Sequence, residues 1–114
     1  MLSMDDLHSR LEAELDRLEE LVVEVRHDGV EAAKAEGAYK SEYSKARLTI
    51  KATSLSKLTV GELEAEADEQ TEELRLRYLI TQNALTTTRE ALRAETTKVD
   101  ALRSLLASYR SASG

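Results

Sequence analysis

The chain has no proline, cysteine, tryptophan or phenylalanine, and only four glycines in 114 residues. Without proline every residue keeps its backbone N–H, so nothing forbids very long helices. Without cysteine, disulfides, thiolate metal sites and thiol chemistry are excluded, and the composition suits a reducing compartment. No run of about 18 apolar residues occurs, so no membrane-spanning helix is expected. Asp5 and Asp6 stand where a secretory signal would carry basic residues, and the cytoplasm is the expected location. The acidic stretch 5–31 is also wrong for a helix lying on a membrane surface, which needs a Lys/Arg-rich polar face.

What remains is coiled-coil composition, 33% charged and rich in Ala, Glu, Leu, Arg and Thr. Its main feature is an apolar stripe. It begins Met4, Leu7, Leu11, Leu15, Leu18, Val22 and Val25, thins through Gly29, Ala32 and Ala35, and resumes as Tyr39, Tyr43, Ala46 and Ile50. After a turn signal come Val60, Leu63, Ala67, Leu74 and Tyr78, then Leu85, Thr88, Leu92, Thr96, Val99, Leu102, Leu106 and Tyr109. Steps of three and four mark one helix face.

Ser3 is placed as an N-cap, with Asp6 closing a capping box and Leu2 and Leu7 spaced as a hydrophobic staple. Weak helix formers from Thr53 to Leu58 end the first helix, and Thr59 to Glu62 reads as a second capping box. The expected fold is all-α, a single-domain antiparallel two-helix hairpin over 1–114. Helix 1 covers about 4–56, the turn 57–59, helix 2 about 60–110, and 111–114 is a frayed tail. Gly29 and Gly37 are expected inside a continuous helix, at places where a neighbour approaches closely. A break near Gly29 is the alternative.

Charge supports the hairpin. Residues 1–31 carry net −7, 32–57 net +4, 58–74 net −7 and 75–114 net +4. Folding near residue 58 brings blocks of opposite sign together, which sets helix orientation. It also places Leu7 to Val25 against Leu92 to Tyr109, and Tyr39 and Tyr43 against Tyr78 and Leu74. The Gly29 to Ala35 stretch falls opposite Thr86 to Thr88 as a thin waist. The expected core and interface are Leu7, Leu11, Leu15, Leu18, Val22, Val25, Tyr39, Tyr43, Ile50, Leu63, Leu74, Tyr78, Leu85, Leu92, Val99, Leu102 and Leu106. Leu21, Val23, Leu48, Leu55, Leu76, Leu79, Ile80 and Leu105 lie off this stripe. So small a core calls for oligomerisation, and a homodimer forming a four-helix bundle is the economical answer. The alternative is that the surplus surface takes a different protein.

Little chemistry is written into the chain. Glu24 and His27 match the Glu-x-x-His spacing of di-iron bundles, and Glu90 and Glu95 lie near the same level. Val25 and Leu92 hold the core positions there, so neither metal nor cofactor is expected. His8 reads as a solvated first-turn residue. No Ser, His and Asp arrangement and no phosphate-binding glycine loop is present, and no enzyme is expected. Lys34, Lys40, Lys45, Arg47, Lys51 and Lys57 form a basic run interleaved with Tyr39 and Tyr43. Lysines take phosphates and tyrosines stack on bases, so the run is a candidate for single-stranded DNA. Against it, both tyrosines sit on the apolar stripe, the run faces seven carboxylates, and the whole chain is acidic.

One ordered set of motifs carries more than periodicity. It comprises Ala35 to Leu48 (with Tyr39-Lys40, Tyr43 and Lys45-Ala46), Thr59 to Glu62, Ala67, Leu74 to Tyr78, and Ala101 to Leu105. This order resembles a widespread group of small helical proteins of tailed bacteriophages and prophages. Where members often have Glu-Arg after the threonine, this chain has Gly61-Glu62, and its first 30 residues are more acidic. The resemblance implies a phage early-region protein encoded near replication or annealing-type recombination genes, with no catalytic residues to assign. The expectation is a non-enzymatic accessory protein of the bacterial host cytoplasm that binds a protein of phage DNA replication or recombination. Two alternatives stand beside it: single-stranded DNA binding through Lys34 to Lys57, and inhibition of a host protein by the acidic N-terminal block.

Overall fold

The polypeptide enters its first helix through a reciprocal cap. Ser3 N donates to Asp6 Oδ2 at 3.0 Å, and Asp6 N donates to Ser3 Oγ at 3.1 Å. These bonds satisfy orphan N–H groups at the helix start and hold the Asp6 carboxyl below its usual value, the Ser3 backbone bond contributing most. The computed structural model of the chain describes residues 2–54 and 56–113. They form three helices: α1 (Met4–Thr53), α2 (Val60–Gln70) and α3 (Glu72–Ser113). Among the described residues there is no strand. No helix among them is long and apolar enough to cross a membrane.

Helix α1 runs through Gly29 and Gly37 without interruption. It stops at Thr53, short of the expected end near 56. The cause is local competition for hydrogen bonds. Ser54 Oγ donates to the Ser56 carbonyl at 2.5 Å, while Thr53 Oγ1 turns back to the Thr49 carbonyl at 2.7 Å. Thr59 then caps α2, its Oγ1 accepting from Glu62 N at 3.1 Å.

The expected second helix is divided at Thr71, which has φ −112° and ψ 17°. Both its N–H (3.1 Å) and its hydroxyl (2.7 Å) donate to the one carbonyl of Ala67. The backbone departs from helical dihedrals at this one residue, which separates α2 from α3. The distortion is confined, because Arg75 N still donates to the Thr71 carbonyl at 2.9 Å. At the other end α3 continues through Ser113, so the expected tail is helical from 111 to 113. Leu55 and Gly114, which figured in the expected apolar surplus and the tail, lie outside the described residues.

The chain forms two compact units, Met1–His27 with Thr86–Gly114, and Asp28–Leu85. In the first, Leu7, Leu102 and Leu106 make a buried cluster flanked by Met4, Leu11 and Tyr109. Burying one such leucine contributes about 2 kcal/mol. Leu2 is 46% exposed, and Met4 rather than Leu2 packs beside Leu7. The Tyr109 hydroxyl donates to the Leu2 carbonyl at 3.1 Å, and Lys98 reaches Glu14 at 3.7 Å. Partners fall in number along α3 as they rise along α1, so the two segments are antiparallel.

One set of buried and half-buried positions in this unit steps by four and three. They are Leu7, Leu11, Glu14, Leu18, Leu21 and Val25 in α1, and Thr88, Leu92, Glu95, Val99, Leu102, Leu106 and Tyr109 in α3. This is the 3.5-residue repeat of a coiled-coil seam. It corrects the stripe read from apolar residues alone. Leu21, placed off the stripe, is 2% exposed, whereas Thr96, placed on it, is exposed and Glu95 takes its position. Leu15 and Val22 flank the seam half-buried.

In the second unit Ala32, Ala35, Ile50, Ala67, Thr71 and Leu85 are buried. Leu85 Cδ1 lies 3.9 Å from where a Cβ on Gly29 would be, an ordinary contact, and nothing lies within 4 Å at Gly37. The close approach expected at Gly37 is therefore absent. Tyr39 bridges the helices, its ring centroid 5.7 Å from Tyr78 and 5.9 Å from Tyr43, both tilted. Such tilted pairs add about 0.5–1.5 kcal/mol beyond area burial.

Candidate functional site

The expected core residues all lie inward to some degree. Leu7, Ile50, Leu85, Val99, Leu102 and Leu106 are buried. Leu11, Leu15, Leu18, Val22, Val25, Tyr39, Tyr43, Leu63, Leu74, Tyr78 and Leu92 are half-buried. Of the surplus apolar residues, Leu21 is buried, and Val23, Leu48, Leu76, Leu79, Ile80 and Leu105 are exposed. Leu76, Leu79 and Ile80 are 56%, 53% and 59% exposed. Spaced by three and four on α3, they form a second apolar face within the Asp28–Leu85 unit. Val23, Leu48 and Leu105 are exposed singly.

The basic run separates into two groups. Lys34, Lys40 and Lys45 pair along α1 with Glu31, Glu36 and Glu42, at 3.8, 2.6 and 3.4 Å. Glu36 raises the Lys40 ammonium above its usual value, first through this hydrogen bond and then through its charge. Arg47, Lys51 and Lys57 instead line one cleft of about 550 Å³ with Leu58, Val60 and Leu63. Arg47 also lies 6.0 Å from the Tyr43 ring. Tyr43 meets the acidic side of α2. Burial first, and then Asp68 and Glu64, push its hydroxyl above the usual value. The tyrosines therefore spend their faces on each other and on the helix pair, as core packing requires.

The polar feature that reading by apolar residues missed is Glu95. It is 7% exposed, on the seam, with Oε2 buried and no donor to it. Across the seam stands Glu14, whose side chain is 20% exposed. Lys98 Nζ lies 3.7 Å from Glu14 Oε2 and 3.9 Å from Glu95 Oε1, too far for a good hydrogen bond to either. The Glu95 carboxyl is pushed up, chiefly by its hydrogen bond to Glu14 and then by burial. Glu14 is held below its usual value, chiefly by accepting that bond. Counting strict heptads from Leu7 and from Leu102 would have placed both glutamates inward.

Glu24 and His27 are both exposed. Among the described residues, no three His, Cys, Asp or Glu side chains converge where they could hold a metal ion. Comparison with protein-family models, curated proteins and solved structures finds no match.

Proposed function

We propose that this chain is a non-enzymatic interaction protein whose helical scaffold self-associates and presents an apolar face to protein partners. The observation that carries this reading is the Leu76, Leu79 and Ile80 face, left more than half exposed after the unit's own core is filled. Clustered exposed aliphatic side chains on one helix face are what a partner helix buries. A second copy is the first partner, giving the four-helix bundle expected from the small core. Placement in phage DNA replication or recombination, in a bacterial cytoplasm, rests on the motif order from Ala35 to Leu105. Light scattering tests the core of the reading. The wild-type chain should be a dimer, and Leu79→Asp with Ile80→Asp should give a monomer of unchanged helicity. A wild-type monomer at high concentration would remove self-association from the reading.

A second reading is favoured by the cleft of Arg47, Lys51 and Lys57, three cations gathered without a carboxylate among the lining residues. It assigns these residues, rather than the whole Lys34 to Lys57 run, to the phosphates of single-stranded DNA. A gel shift that weakens with salt and is lost in Arg47→Glu with Lys51→Glu would favour it. No shift at low salt would end it.

A further inference from the structure

We propose that Glu14 and Glu95 form an acid-operated clamp on the unit built from the two ends of the chain. One proton held between their carboxylates closes the α1–α3 seam, and its loss loosens it. Glu95 occupies a seam position between Leu92 and Val99, is more than nine-tenths buried, and has one carboxylate oxygen with no donor. An ionised carboxylate left in that state is strongly disfavoured. Taking up one proton from solvent removes that cost, because a neutral Glu95 carboxyl can donate to Glu14.

The charges that face the pair cannot replace that proton. From α3, Lys98 lies beyond good hydrogen-bond distance of both carboxylates and is half in solvent. From α1, Arg17 acts on Glu95 and Arg10 acts on Glu14 by charge alone. Arg17 meanwhile holds Glu20 at 3.2 Å and Glu24 at 3.6 Å. Both carboxyls have an ordinary value of 4.5, and Glu95 is raised while Glu14 is lowered. The stability contributed by Glu95 is fully present below that ordinary value and is lost as pH rises through its raised value. The contribution of Glu14 runs the other way, present above the ordinary value and lost as pH falls through its lowered one. The singly protonated pair is thus the closed state, and raising the pH through the Glu95 value opens it.

The test is Glu95→Gln in the full chain, with thermal unfolding followed at about pH 4.5 and about pH 8. Glutamine can make the same donated bond to Glu14 but cannot ionise. The expected result is a midpoint advantage of the variant that is large at the higher pH and small or absent at the lower. An advantage or deficit of equal size at both would overturn the proposal, as a purely steric role would produce it. Carbon NMR of the Glu95 carboxyl in the wild-type chain is the second measurement and does not depend on the variant folding. Titration above the ordinary glutamate value is expected, and titration at or below it would overturn the clamp.

Discussion

Gly37→Ala and Gly29→Ala should each stabilise the protein, and the sign of the second is the sharper test. Both glycines lie inside α1, and no residue of the described chain has positive φ. Neither site therefore needs the left-handed conformation that would penalise a side chain. At Gly37 an added Cβ meets nothing within 4 Å, so only the helix propensity changes. That difference is about 1 kcal/mol in favour of alanine. At Gly29 the new methyl meets Leu85 Cδ1 at 3.9 Å, an ordinary van der Waals contact. It gains the same propensity term plus a fraction of the roughly 0.8 kcal/mol that a buried methyl contributes. The expected order is Gly29→Ala above Gly37→Ala above wild type, with each kcal/mol raising the midpoint by about 4 °C. Thermal and urea unfolding by far-ultraviolet circular dichroism measure both. A gain at Gly37 with a loss at Gly29 would refute the continuous helix, because only a break or a tighter neighbour at residue 29 penalises that methyl.

Three further outcomes are expected. Leu102→Ala empties part of the Leu7, Leu102 and Leu106 cluster and should cost about 2–5 kcal/mol in urea unfolding, while Leu102→Asp should abolish folding of that unit. Thr59→Ala removes the hydroxyl that accepts from Glu62 N and should cost about 1 kcal/mol, with Thr59→Ser restoring most of it. Lys98→Ala takes away the cation nearest the glutamate pair. It should deepen the loss of thermal stability between acidic and neutral pH; an unchanged pH profile would show that Lys98 does not act on the pair.

The helical class, the cap at Ser3, the cap at Thr59 and the antiparallel return were legible because each depends on local residue types or on a long repeat. The features that were not legible share one cause. Apolar spacing cannot distinguish two paths through steps of three and four when both contain leucines and threonines. Leu92 to Val99 passes as readily through Thr96 as through Glu95, and hydrophobicity alone prefers the threonine. Burial follows the strict heptad series through Glu95, which hydrophobicity alone passes over. The Thr71 opening was hidden for a related reason. A threonine inside a helix can return its hydroxyl to the preceding turn without harm, as Thr96 does to the Leu92 carbonyl at 2.9 Å. At Thr71, 4% exposed, the shared Ala67 carbonyl coincides with a departure from helical dihedrals in mid-run. The charge blocks predicted orientation. The lysines at 34, 40 and 45 nevertheless find carboxylates along their own helix, because partners three or four residues away cost little chain entropy to reach.

A heptad seam is by nature a rack with equal teeth, and leucine against leucine fits as well one notch along. The glutamate pair removes that degeneracy. Sliding α1 by seven residues past α3 would set Glu95 against Leu7 or Leu21, which are 1% and 2% exposed. Either notch strands a buried acid on hydrocarbon with nothing to share its proton. The same two side chains that weaken the seam at neutral pH thus act as its indexing pin, and a chain with leucine at both places would be tighter but free to slip.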